Sequence, residues 1–374
     1  MVGLGETAAV LTRLRRQKTP APPTRSRGLL SEIVDFGANP GQLRMLLHAP
    51  AALSGNRPLV VVLHGCTQTA EQYAEGAGWI ALADRLGFGL LCPEQRPSNN
   101  PNRCFNWFEP GDIRRGQGEA ASIRNMIDTA AARLRSDRTQ IFVTGLSAGG
   151  AMASVMLATY PEIFAGGGIV AGLPYGVANG MPQAFAAMYQ DRQLSGADLG
   201  HLVRKASPHH GPWPRISVWH GSADTTVKPS NADAIVQQWL HVHGLDAGSA
   251  AGDVDGRDVW TRHGRPVVER RLIPGLGHGT PLATAGPDGV GRAGPFLLES
   301  GISSSLELTR FWGIAADDGR SRASAPQTLL PTEAAIPPTL HETAPNRVGL
   351  QAAKNEQGVG AIINRALRAA GLMK

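Results

Sequence analysis

The chain has 374 residues, 42% of them hydrophobic and 18% charged, which is enough to bury a sizeable core and excludes a disordered or fibrous chain. Its net charge of +6 and pI near 9.6 would suit an anionic partner. Divided along the chain, however, residues 1–28 carry +5 and residues 319–374 carry +4, which leaves −3 on 29–318. The basicity therefore belongs to the ends, no nucleic-acid partner is expected, and the ends read as solvated tails. Contact of the tails with an anionic surface or a polymer granule is the alternative.

Taken in chain order, Glu6–Gln17 has the pattern of a short helix, and Lys18–Arg27 is a basic, proline-rich linker. The apolar run Ala8–Leu11 is too short for a secretory signal and is followed at once by Arg13, Arg15 and Arg16. No apolar stretch approaches the ~18 residues of a membrane span. A cytoplasmic location is the direct expectation. The three cysteines, Cys66, Cys92 and Cys104, fit a reducing compartment, with one pair among them left open.

From residue 29 onward, short β-rich runs alternate with helical patterns. Leu59–Leu63, Gly89–Pro93, Gln140–Thr144, Arg215–Trp219 and Val267–Ile273 read as strands, and Gln72–Leu86, Gly118–Leu134 and Ala151–Thr159 read as helices. This order predicts an α/β fold, a mostly parallel sheet with helices on both faces, over 29–318. Right-handed crossovers bring the carboxyl ends of the strands, and the loops that follow them, to one edge. Prolines from Asp317 to Asn346 predict a second linker. Beyond it Val359, Ile362, Ile363, Ala366, Leu367 and Ala370 recur at helical spacing. Residues 319–374 thus read as a linker and one amphipathic helix, docked on the body or on a second subunit.

One sheet-edge loop carries a nucleophile motif. The strand at Gln140–Thr144 runs into Gly145-Leu146-Ser147-Ala148-Gly149 and then a helix. A strand–G-x-S-x-G–helix turn forces the central residue into a strained conformation, exposes its hydroxyl and places it at a helix N-terminus. A neutral hydroxyl needs a base held by an acid. Asp224, in the loop after Arg215–Trp219, is the candidate acid, and His278, in the glycine-rich loop after Val267–Ile273, is the candidate base. Asp233 falls inside the following helical pattern and reads as a solvated charge. The oxyanion of acyl transfer needs two N–H donors. The Ala148 amide follows the nucleophile, and the Cys66 amide lies in the loop His64-Gly65-Cys66 after Leu59–Leu63. The Cys66 thiol is either free and buried or paired with Cys104. Histidines at metal-ligand spacing and zinc knuckles are missing from the sequence, so neither a metal nor a cofactor is expected.

These stretches resemble the poly(3-hydroxybutyrate) depolymerase family of serine esterases, of α/β-hydrolase fold and related to feruloyl and acetylxylan esterases. The resemblance rests on PLVVVLHGCTQTAEQYA (58–74), LLCPEQ (90–95), NRCFNWF (102–108), VTGLSAGGAMASVML (143–157), VWHGSADTTV (218–227) and GLGHGTPL (275–282). It implies a Ser147, Asp224, His278 triad with Cys66 and Ala148 at the oxyanion. It also points to Asn106, Trp107 and Trp219 as lining the acyl cleft, with core packing as the alternative for each tryptophan. The activity implied is ester hydrolysis of hydroxyalkanoate oligomers, with feruloyl or acetyl esters of plant polysaccharide as the alternative substrates. A non-catalytic binding protein of the same fold is the reading from another class. Secreted members of the family make an extracellular location the alternative to the cytoplasm.

Overall fold

The computed structural model describes residues 28–189, 194–252 and 256–316. A ten-stranded sheet organises them, in the order β1-β2-β4-β3-β5-β6-β7-β10-β9-β8. The central strands β4 (Gly89–Glu94), β3 (Leu59–Leu63), β5 (Ile141–Leu146), β6 (Gly166–Val170), β7 (Arg215–Gly221) and β10 (Arg265–Ile273) pair in parallel. Antiparallel strands flank them, β1 (Ser31–Ile33) and β2 (Arg44–His48) on one side, β9 (Arg257–Arg262) and β8 (Ala251–Gly252) on the other. A separate pair, β11 (Thr280–Leu282) and β12 (Leu297–Glu299), follows the sheet.

The five residues of β3 are all buried, and their alternation separates two cores. Leu59, Val61 and Leu63 face one cluster, which holds residues of α3 (Gly118–Leu134), α4 (Ala148–Thr159), α6 (Gly196–Ala206) and α7 (Ser230–His243). Val60 and Val62 face the other, beside α1 (Ala70–Gly76), α2 (Trp79–Leu86) and α8 (Ser304–Trp312). A strand covered on both faces needs apolar residues at every position, and that is what makes LVVVL recognisable as central. A further helix, α5 (Met181–Tyr189), lies in the chain between β6 and β7.

Two elements depart from expectation. The helical pattern over Gln72–Leu86 divides at Ala77-Gly78, where Gly78 takes φ +81° and lies so close to Val290 that a Cβ would stand 2.8 Å from the valine Cβ. Strand β6, GGGIV, has no β-branched signal in its first three residues. Its glycines are required by packing, since a Cβ on Gly167 would lie 2.4 Å from Leu157 and one on Gly168 2.6 Å from Leu308. Among the described residues, no helix is long and apolar enough to cross a membrane. The expected arm at 1–28 and the expected linker and helix at 319–374 lie outside the described residues, apart from Gly28.

Candidate active site

The turn between β5 and α4 places Ser147 at φ 56°, ψ −116°. Only glycine fits at its two flanks: a Cβ on Gly145 would stand 2.4 Å from Gly149 backbone, and one on Gly149 2.3 Å from the Leu63 carbonyl oxygen. The strained serine is held by its own amide, which donates to the Val170 carbonyl at 2.9 Å. Its side chain thus stands at the N-terminus of α4 above the sheet.

Asp224 and His278 arrive on two neighbouring loops that are zipped together. The Ser222 amide donates to the Ile273 carbonyl at 2.9 Å, the Ala223 amide to the Leu276 carbonyl at 3.0 Å, and the Gly275 amide to Ser222 Oγ at 2.8 Å. Gly221 permits this contact, because a Cβ there would lie 2.2 Å from the Leu276 carbonyl oxygen. As a result His278 Nδ1 donates to Asp224 Oδ2 at 2.7 Å, and the Ser147 hydroxyl donates to His278 Nε2 at 2.9 Å. The carboxylate selects the Nδ1–H tautomer, so the Nε2 lone pair is the one that faces the hydroxyl.

Asp224 is almost fully buried, and its Oδ1 accepts from the Thr226 and Val227 amides at 2.8 and 2.9 Å. Burial pushes its carboxyl up, but hydrogen bonds from His220 and His278 outweigh that and hold it well below the usual carboxylate range. His220, which sequence reasoning quoted but gave no role, is also buried; its Nε2 donates to the Val227 carbonyl at 2.9 Å and lies 3.3 Å from Asp224 Oδ2. Asp233 is a helix charge on α7, ion-paired with Arg270.

The loop after β3 is fixed from several sides. His64 Nδ1 donates to the Gly65 carbonyl at 2.8 Å while Nε2 accepts from the Gln95 amide at 3.1 Å, a pattern only the neutral ring can make. Burial accordingly pushes His64 below its ordinary value. Gln68 Oε1 accepts from the Gly65 amide at 2.9 Å, and the Thr67 amide donates to the Asn102 carbonyl at 2.7 Å. Cys66 is bonded to Cys104 through a disulfide, whereas Cys92 is a free, buried thiol. The pairing left open by the sequence is therefore 66 with 104. Cys66 and Ala148 both line the cavity beside Ser147, and among the described residues no protein acceptor meets either amide.

That cavity encloses about 460 Å³, with Ser147 and His278 among its lining residues. Its walls are mostly apolar, including Trp107, Phe108, Leu173, Phe185, Met188 and Phe296. Asn106 and Trp107 lie where the resemblance puts them, in the cavity wall. The Asn106 side chain is spent on the scaffold, accepting from Asn100 and donating to Asp112 at 3.1 Å each. Trp219 is a correction: it is fully buried in the core beneath the sheet, its indole N–H donates to Ser217 Oγ at 2.9 Å, and it does not line the cavity. Its place on β7 explains this, since the strand turns alternate residues to opposite faces and the loop begins only after Gly221.

Sequence reasoning missed the carboxylate that ties these loops together. Glu119, in the first turn of α3, is buried; it accepts from the Asn106 amide at 2.9 Å and from the Gln95 side chain. Burial, and next the charge of Asp112, push its carboxyl up to about 8. An acid in the first turn of a helix is ordinary in sequence, so only the burial of this one marks it. Among the described residues, no group of three or more His, Cys, Asp or Glu side chains could hold a metal ion.

A parallel sheet, a strained serine at its carboxyl edge and a histidine bridging that serine to a buried carboxylate define an esterase of α/β-hydrolase type. Comparison with known proteins agrees. Residues 43–259 match the family described as Esterase PHB depolymerase. Poly(3-hydroxyalkanoate) depolymerase C of Paucimonas lemoignei is 45% identical over 291 residues, covering 76% of this chain and 70% of that protein. An acetylxylan esterase of Coprinopsis cinerea is 31% identical over 274 residues, covering 70% and 72%. Among solved structures, an acetyl xylan esterase from Aspergillus awamori shares the fold with a TM-score of 0.65 at 23% identity, covering 76% of this chain and 99% of that one. The chain belongs to the Esterase PHB depolymerase family and is a carboxylic-ester hydrolase.

Proposed function

We propose that Ser147 is the nucleophile, His278 its general base and Asp224 the orienting acid in the hydrolysis of hydroxyalkanoate oligomers. The single observation that supports this most is the continuous chain of hydrogen bonds from Ser147 through His278 to Asp224 at the wall of an apolar cavity. In the acylation step Ser147 Oγ attacks the ester carbonyl carbon and its proton passes to His278 Nε2. The Cys66 and Ala148 amides donate to the oxyanion of the tetrahedral intermediate. Collapse breaks the bond to the alcohol oxygen, which leaves with the proton from His278. Water then adds to the acyl-enzyme, giving its proton to His278, and the carboxylic acid departs as Ser147 recovers its hydrogen. Asp224 stays ionised throughout and stabilises the imidazolium that forms twice per cycle.

The substrate class rests on kinship and cavity chemistry together. The 45%-identical relative is a poly(3-hydroxyalkanoate) depolymerase, and a largely apolar cavity suits an uncharged aliphatic polyester segment. Acetyl esters of xylan are the second reading, supported by the acetylxylan esterases among the relatives. Rates on 3-hydroxybutyrate trimer and tetramer beside acetyl- and feruloyl-xylan esters separate the two; a preference for the xylan esters would reverse the ranking. The catalytic unit in this reading spans 29–318. The Cys66–Cys104 disulfide favours an oxidising compartment, so the extracellular location takes precedence over the cytoplasmic one.

A further inference from the structure

The body of the chain is mildly acidic overall, yet one groove in it is strongly cationic. It is an open cavity of about 820 Å³ whose lining includes Arg204, Arg215, Arg262 and Arg265 together with His210, His243 and His263, and no aspartate or glutamate. None of its lining residues is shared with the catalytic cavity. The groove gathers at the starts of β7 and β10, the amino edge of those strands, whereas the catalytic loops follow their carboxyl ends.

Two of its arginines are held in place with no carboxylate in ion-pair contact among the described residues. Arg215 Nε donates to the Pro266 carbonyl at 2.8 Å, and its guanidinium stacks 4.3 Å from the Phe311 ring. Arg204 caps α7 by donating to the His241 and Val242 carbonyls, and it lies 5.7 Å from the Trp213 ring. The helix end offsets part of the Arg204 charge, but no such partner meets the other three. Arg262 and Arg265 face each other directly across the β9–β10 hairpin, both exposed. Like charges in directly opposed positions destabilise a hairpin, and among the described residues neither has a carboxylate partner. Elsewhere on the same strands Arg257 pairs with Glu269, and Arg270 with Asp258 and Asp233. The strands therefore neutralise their arginines away from the groove and leave them unpaired within it.

The local field registers on the neighbouring groups. Burial, with Arg262 and Arg204 adding to it, pushes His243 down to about 4. Burial and then Arg265 lower Arg215, with the more distant Glu269 opposing them. Guanidinium forks are suited to tetrahedral oxyanions, which they bind by paired, charge-assisted hydrogen bonds. A single carboxylate would answer one of these cations, whereas a linear chain of phosphates answers several within one groove.

We propose that this groove binds an oligophosphate, with Arg215, Arg262 and Arg265 contacting its oxyanions and Arg204 and Trp213 forming the wall. The test is calorimetric titration of the full-length protein with inorganic tripolyphosphate, against sodium chloride at matched ionic strength. An Arg262→Ala/Arg265→Ala protein is compared with an Arg124→Ala/Arg138→Ala protein, which loses the same charge on and just after α3. Both groove residues lie on an exposed hairpin, and an unchanged melting curve checks that the fold survives. The expected result is saturable binding that weakens by about tenfold or more in the groove variant and is little changed in the α3 variant. Absence of saturable binding by the wild type overturns the proposal. Equal affinities in the two variants, as binding by the basic ends would give, also overturn it. Binding of a single-stranded oligonucleotide without binding of tripolyphosphate would point to a nucleic-acid surface instead and overturn it as well.

Discussion

The two cavities lie at opposite edges of the same sheet and are built in opposite ways. At the carboxyl edge, the charged groups beside Ser147 are tightly committed: Asp224 is buried and accepts four hydrogen bonds or close histidine contacts, and His278 has one partner on each nitrogen. At the amino edge, charge is abundant and uncommitted, with arginines fixed by carbonyls and aromatic rings. The first arrangement turns on and off a proton at one atom. The second offers a standing positive field and no nucleophile. A net charge of −3 for 29–318 conceals both, because an average over a domain says nothing about where its charges meet.

The widest gap between the edges is expected in catalysis. Ser147→Ala or His278→Ala should lower kcat/KM on p-nitrophenyl butyrate by at least about 10⁴-fold, while Arg262→Ala/Arg265→Ala should stay within about twofold on the same assay. Comparable losses in both would erase the division. A smaller effect is expected from untying the oxyanion loop. Cys104→Ser should cost about tenfold in kcat, less than the ~10²–10³ of losing a donor outright, because Thr67 still bonds Asn102. Full activity in that variant would mean the disulfide does not position the Cys66 amide.

The two tryptophans first read alike sharpen the boundary of the active cavity. Trp219→Ala should destabilise by about 3–5 kcal/mol, as removal of a buried aromatic does, with KM unchanged in the protein that remains folded. Trp107→Ala should raise KM several-fold at a smaller stability cost, and urea titrations beside Michaelis curves would expose a reversal. The last comparison is a slope with pH. Glu119 ionises near 4.5 when unfolded but near about 8 when folded, so folding retains a proton between those values. Its contribution to stability therefore falls as pH rises through that window, by up to ~1.4 kcal/mol per pH unit, and levels off above it, while buried His64 and His243, whose values are lowered, act in the opposite sense. Glu119→Gln should remove this falling component, so that the variant's slope is the more positive of the two; identical slopes would show that Glu119 does not contribute it.

Legibility followed the same division. Ser147, Asp224, His278 and Cys66 each follow closely on a strand, and Ala148 opens the helix after Ser147, so a local motif and a count of strands are enough to bring them to one edge. The strand β3 was readable because both of its faces are buried. Strand β6 was not, since its glycines answer to Leu157 and Leu308, residues that no local window contains. Trp219 illustrates the limit of motif reading: it is two residues from the loop in sequence, but on the far face of the sheet. Glu119 and the cationic groove were hidden for a related reason. One depends on burial among Gln95, Asn106 and Asp112, and the other on arginines from α6, β7 and the β9–β10 hairpin.

The central claim is that Ser147 becomes acylated because His278 and Asp224 activate it. The measurement that meets it most directly is mass spectrometry of the protein after reaction with a fluorophosphonate. One equivalent on the peptide carrying Ser147, formed far more slowly in His278→Ala, is the predicted result. A folded wild-type protein that hydrolyses 3-hydroxybutyrate trimer but carries the label elsewhere, or none, would contradict the account.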